Sequence, residues 1–164
     1  MTPEAFLTEV VKSNVAAALT DPNDIRAIVN AILTLDALVG MIHAHGKAAD
    51  KAGIAEYKRD DDYCEALAAT SPSYRVLRDA AASLKHGELS HPRRKSLARL
   101  LRSPDALGSK PTSFGTYNFG RPFGGHSIVI EYDPGPGYAL ASHIIAETYQ
   151  MLEGIAAGEP AGPS

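Results

Sequence analysis

A chain of 164 residues is long enough to bury one hydrophobic core and too short for two comfortable domains. With 45% hydrophobic and 21% charged residues, its composition is globular and not disordered. A formal net charge of -3 excludes any general attraction to nucleic acid or an anionic membrane, so a polyanion contact would need a local patch.

Cys64 is the single cysteine, which rules out an intrachain disulfide and a cysteine-rich zinc site. The opening "MTPEAFLTEVV" has no basic stretch before an apolar run, so it does not read as a secretory signal. No unbroken apolar run approaches the ~18 residues of a membrane helix. A cytoplasmic protein with no membrane partner is expected.

The first predicted helix is "TPEAFLTEVVKSNVAAAL", with Thr2 as cap, Pro3 at the first helical position and Glu4 in the first turn. Phe6, Val10, Val11, Ala17 and Ala18 fall near helical spacing. "TDPND" breaks the chain and offers Asp21 or Asn23 as the next cap. The helix that follows, residues 24 to 45, has the strongest pattern. Ile25, Ile28, Val29, Ile32, Leu35, Val39 and Ile42 recur at three and four, giving a continuous apolar stripe that suits a central helix.

From Lys47 to Lys58 the periodicity weakens into a connection. "RDDDYCEALAAT" predicts a short helix with acids in its first turn, where the macrodipole favours them. In "TSPSYRVLRDAAASLKHG", Ser71 caps, Pro72 opens, Tyr74, Leu77, Ala81 and Leu84 form the stripe, and Gly87 terminates the helix. "SHPRRKSLARLLRS" predicts a short basic helix or turn.

After Pro111 the period becomes strand-like. "SFGTYNFG" and "HSIVIEYD" flank the glycine-rich "RPFGG" and predict a β-hairpin over residues 113 to 132. "YALASHIIAETYQMLEGI" predicts a final helix, with Leu140, Ile144, Ile145, Thr148, Met151, Leu152 and Ile155 on one side. The fold class is therefore mainly α. It is one bundle of four to five helices over residues 1 to 156, with the hairpin inserted before the C-terminal helix and a disordered tail at 157 to 164. A lone hairpin is marginal in water. Its aromatics, Phe114, Tyr117, Phe119, Phe123 and Tyr132, point to a homodimer formed through the hairpin or the final helix.

Chemistry-bearing residues crowd into "LRDAAASLKHGEL", residues 77 to 89. In the plainer reading His86 faces the macrodipole from the last turn, and Arg75, Arg78 and Asp79 lie on a solvated face. In the sharper reading Asp79, Ser83 and His86 share one strip of the helix at i, i+4 and i+7. "DALVGMIH" repeats that separation with Asp36 and His43. Asp36 lies beside a buried stripe, an expensive place for an unpaired carboxylate. Antiparallel packing would bring Asp36 to His86 and His43 to Asp79 in one polar network. Two Asp/His pairs are also a way to hold a metal in a bundle, but the E-x-x-H pair is missing. No metal and no cofactor are expected. The candidate cluster is Asp36, His43, Arg78, Asp79, Lys85 and His86.

The basic run carries Arg93, Arg94, Lys95, Arg99 and Arg102 with no aromatic among them, so it reads as a solvated face and only weakly as a phosphate stripe. "FGRPFGGHS" lacks the lysine of a phosphate loop and joins strand to strand. Cys64 reads as a small core residue.

The segment "LRDAAASLKHGEL" resembles an element of uncharacterised bacterial helical proteins in which an arginine-aspartate pair precedes "A-x-x-K-H". More distantly it is similar to the HEPN superfamily, several of whose members are RNA-cutting toxins. The resemblance implies a helical fold and a nuclease site at an arginine followed by a histidine. Here seven residues separate Arg78 from His86. On one ideal helix that places them ~80° apart and ~12 Å along the axis, too far for a single phosphate. The expectation is thus a non-enzymatic cytosolic protein acting by binding or self-association. The alternative is a HEPN-like ribonuclease or toxin-type enzyme built around Arg78, Lys85 and His86. An enzyme needs those side chains to meet other polar groups in one cleft.

Overall fold

The computed structural model describes residues 1–87, 104–111, 126–132 and 137–158. The first helix starts as expected: the Thr2 hydroxyl accepts from the Ala5 amide at 3.2 Å and Pro3 opens α1 (Pro3–Phe6). A π-helical segment, Leu7–Val11, then passes into α2 (Lys12–Thr20). Asp24 caps α3 (Ile25–Ala48), accepting from the Arg26 amide at 2.9 Å. Asp21 instead tightens the preceding turn through the Asn23 amide. Asp24 prevails because it is the extended residue directly before the first helical turn, where a capping oxygen reaches the N2 amide.

α3 packs against α1, α2, α4, α5 and α6, which makes it central as its periodicity required. By length and by a mean hydropathy of 1.8 over its most apolar stretch it would suffice to cross a membrane. In this fold Ile28, Ile32, Leu35, Leu38 and Val39 are fully buried on its inner face, while Ile25 at its start remains exposed.

α4 (Asp60–Thr70) and α5 (Pro72–His86) are separated by the single extended residue Ser71, which ends one helix and caps the next by accepting from the Tyr74 amide. Gly87, at a φ of 72°, closes α5 in a conformation that favours glycine.

The solvated face expected for α5 does not exist over most of its length. Arg78 and Asp79 are 5% and 4% exposed, and Ser73, Val76, Ala80, Ala82 and Ser83 are buried with Tyr74, Leu77 and Ala81 of the predicted stripe, whose Leu84 is half-buried. α5 touches α3, α4, α6 and the sheet at once, and a run of three alanines lets these neighbours come close. A single apolar stripe describes a helix with one packing partner; α5 has several.

The strands form an antiparallel sheet in the order β1 (Leu107–Pro111), β2 (His126–Tyr132), β3 (Gly137–Leu140), entered through a 3-10 turn at Pro104–Ala106. Leu107 stands opposite Ile130, and Val129 opposite Leu140. The second strand of the expected hairpin is β2. Its neighbours were not foreseen: "LGSKP" has little strand propensity, and "GYAL" reads as the start of the final helix. Cross-strand pairing overrides local preference at both places. α6 accordingly begins at Ala141 and runs to Ala156.

Ile128 and Ile130 join the helical core, and Ser127 and Val129 on the other face of β2 are buried too. Among the described residues β1 and β3 lie at the edges of the sheet, where Lys110 and Pro111 at the end of β1 and the four-residue length of β3 make them poor templates for another chain. The predicted strand 113–120, the glycine-rich loop, the basic run and most of the tail fall outside the described residues.

The connection from α3 to α4 folds back so that Ile54 seals the core against Gly46. A Cβ on Gly46 would lie 2.7 Å from Ile54 Cγ2 and 3.1 Å from Ile54 Cβ. Relief requires the connection itself to move. Gly46→Ala is therefore expected to destabilise the protein by about 1–3 kcal/mol, the usual effect of overpacking. Urea denaturation followed by circular dichroism checks this, and an unchanged midpoint would show that the connection yields freely.

Candidate functional site

With only Ser71 between them, α4 and α5 lie side by side, and the contact is made by charge. The Arg78 side chain is 6% exposed; its Nη1 donates to Glu65 Oε1 at 2.5 Å and its Nη2 to Asp61 Oδ1 at 3.4 Å. Burial works against the guanidinium charge, but the hydrogen bond and negative charge of Glu65 outweigh it and hold the pKa above its ordinary value. One turn earlier, Arg75 Nε donates to the Ala68 carbonyl at 3.1 Å, tying α5 to the end of α4.

Across the other side of α5, Lys85 pairs with Asp36 of α3. Between these two ion pairs lies a cleft of about 270 Å³. α3 supplies Asp36, Ala37 and Gly40 to its wall. α4 supplies Asp60, Asp61 and Cys64, and α5 supplies Arg78, Ala82, Lys85 and His86. A Cβ built on Gly40 meets nothing within 4 Å. Glycine inside a helix is unfavourable by about 0.5–1 kcal/mol relative to alanine, and no neighbour among the described residues demands it. Its effect is to keep the wall open.

Of the expected cluster, Asp36, Arg78, Lys85 and His86 come together along this cleft. Asp36 does find a partner on α5, but it is Lys85 and not the adjacent His86. His43 goes elsewhere: its Nε2 lies 2.9 Å from the Tyr57 carbonyl oxygen and its ring stacks on Tyr63 at 5.7 Å. Two turns along α3 from Asp36, it faces the α3–α4 connection instead of α5. Asp79 is buried but does not line the cleft.

Sequence reasoning missed the contribution of α4. Asp61, Cys64 and Glu65 stand at i, i+3 and i+4, the spacing of one helix face. The macrodipole accounts for Asp61 in the first turn and says nothing of Glu65, so neither is assigned from sequence as a partner of Arg78.

Cys64 lines the cleft, and the buried Tyr74 lies behind it. Burial pushes the Cys64 thiol above its ordinary value of 9.0, partly opposed by the Tyr74 hydroxyl and the Arg78 charge. Tyr74 is fully buried with its hydroxyl toward the Cys64 thiol and no other partner among the described residues, and burial drives its pKa far up. Burial also raises Tyr63 to about 12. A thiol held protonated at neutral pH is a poor nucleophile. The cleft thus offers carboxylates, an imidazole and two already paired cations. Among the described residues no three His, Cys, Asp or Glu side chains are grouped to hold a metal ion.

No family model matches this chain, and neither the curated proteins nor the solved structures include a significant match.

The buried thiol and phenols fix a pH dependence. Cys64, Tyr63 and Tyr74 all have folded pKa values above their ordinary values of 9.0, 10.0 and 10.0. Their contribution is intact below those ordinary values. It is lost as pH rises and the unfolded state releases protons that the folded state retains. The thermal midpoint should therefore fall steadily above roughly pH 9. Tyr74→Phe, which removes a buried hydroxyl whose one neighbour is the weakly bonding Cys64 thiol, should leave stability at neutral pH unchanged or raised and make the alkaline fall shallower. An equally steep fall in the variant would show that Tyr74 ionises freely in the folded protein.

Proposed function

We propose that the chain is a cytosolic, non-enzymatic binding protein whose ligand site is the cleft between α3, α4 and α5. The observation that carries this reading is the state of its cations. Arg78 is engaged by Glu65 and Asp61, and Lys85 by Asp36. A phosphodiester entering the cleft would have to displace a carboxylate from each cation and approach Asp60 as well. Cleavage chemistry also wants a general base or a nucleophile set against a positive centre, and among the described residues this cleft sets Asp36, Asp60 and Asp61 against Arg78 and Lys85. The homodimer is expected through residues 113 to 132 or the final helix, and residues 113 to 125 of that hairpin lie outside the described residues.

One observation favours the HEPN-like alternative. Arg78, Lys85 and His86 line the same cleft, although the spacing along a single helix keeps Arg78 and His86 from sharing one phosphate. The deciding experiment is incubation of the purified chain with single-stranded RNA, alongside Arg78→Ala and His86→Ala. The binding-protein reading predicts no cleavage above buffer in any of the three. Cleavage by the parent chain that both substitutions abolish would establish the enzyme instead.

A further inference from the structure

We infer that a second cavity, bounded by the α3–α4 connection, α4 and the end of α6, binds a small aromatic molecule carrying one hydrogen-bonding group, such as an indole or a phenol. This site is separate from the cleft between α3, α4 and α5 and goes beyond the reading given for it.

The first support is a preformed space of suitable size. The cavity holds about 460 Å³, within the ~300–1,000 Å³ usual for small-molecule sites. Tyr63, Ala66, Leu67 and Thr70 stand at i, i+3, i+4 and i+7 and line it with one face of α4. Ile54 and Tyr57 of the connection and Ile155 of α6 supply other walls. The connection is pinned at two points, so its wall is in place before any ligand arrives. His43 Nε2 donates to the Tyr57 carbonyl at 2.9 Å, and Lys47 Nζ to the Lys58 carbonyl at 2.5 Å.

The second support is the pair of rings in that lining. Tyr57 and Tyr63 have their ring centroids 5.6 Å apart at an interplanar angle of 57°. His43, which does not line the cavity, stacks on the Tyr63 ring at 5.7 Å and holds it from the far side. Aromatic rings favour tilted or offset neighbours ~4.5–7 Å away, so a third ring entering here extends a cluster already built. Among the described residues the charged members of the lining are the exposed Lys51 and Glu56, one of each sign.

The third support is an unused hydroxyl. Tyr63 is 4% exposed, and its hydroxyl makes no hydrogen bond to a described residue. Unlike the Tyr74 hydroxyl it is not sealed from solvent, so the surface it keeps opens on the cavity that Tyr63 lines. Burial raises its pKa to about 12, which keeps the phenol protonated and able both to donate and to accept near neutral pH. A phenylalanine would fill the same space in the core and stack equally well on His43. The hydroxyl is therefore what the packing does not require, and a polar group on a bound ring would satisfy it.

The test is titration of the full chain with indole, read by indole fluorescence, to which a chain without tryptophan adds nothing. The comparisons are 1-methylindole, which lacks the N–H, and cyclohexanol, which has a hydroxyl and no aromatic ring. Saturable one-to-one binding of indole is expected, about three- to tenfold tighter than 1-methylindole, as one net hydrogen bond gives. Equimolar cyclohexanol should not displace it. Tyr63→Phe should keep the thermal midpoint at neutral pH and erase the preference for indole over 1-methylindole. Ala66→Met should fill the cavity and abolish binding while preserving helix content, because methionine is a good helix former. Absence of indole binding, displacement by equimolar cyclohexanol, an unchanged preference in Tyr63→Phe or full affinity in Ala66→Met would overturn the inference. The RNA experiment addresses the other cleft, so the two results are read separately.

Discussion

The burial of one guanidinium organises this molecule. Arg78 lies near the middle of a helix that four sets of neighbours enclose, where an unpaired charge would be strongly unfavourable. Its partners come from the preceding helix, so α4 must lie against α5 with Asp61 and Glu65 turned toward Arg78 at the rim of the contact. That requirement fixes the position of Asp60 and Cys64, and with them one wall of the cleft. The Asp36–Lys85 pair fixes the opposite side by joining α3 to the end of α5. The cleft is what remains between the two ion pairs, held open by Ala37, Gly40 and Ala82.

The helices were legible in the sequence wherever a local rule acts alone. Thr2, Pro3, Ser71, Pro72 and Gly87 each stand where capping chemistry puts them, and the stripe from Ile28 to Ile42 marks the central helix. The strands were legible only where composition agrees with pairing. "HSIVIEY" is β-branched and aromatic, and it is β2. "LGSKP" becomes β1 because β2 offers it a partner, and no residue in it announces this. "GYAL" becomes β3 for the same reason, although its Tyr138, Ala139 and Leu140 fit the helical pattern that follows.

The site divides in the same way. Asp36 beside an apolar stripe correctly signals a partner on α5, since a carboxylate in that position needs one. Which residue answers depends on side-chain length and helix rotation, and the long Lys85 reaches it. His43 shares a helix face with Asp36 yet finds the Tyr57 carbonyl, because the α3–α4 connection folds across that end of α3. The burial of Arg78 was illegible from α5 alone. A lone arginine off an apolar stripe reads as solvated until the acids that neutralise it, thirteen and seventeen residues earlier in the chain, are placed against it.

The central claim is that Arg78 is held by carboxylates within the chain and is not free for a phosphate. A double-mutant cycle on stability with Arg78→Met, Glu65→Gln and the double variant measures it most directly. The Glu65 side chain is 43% exposed, so solvent screens part of the interaction. A coupling of about 1 kcal/mol or more, with each single variant destabilised, is the predicted result. Additivity to within ~0.3–0.5 kcal/mol would contradict the account, because it would leave Arg78 without the partner that organises the fold.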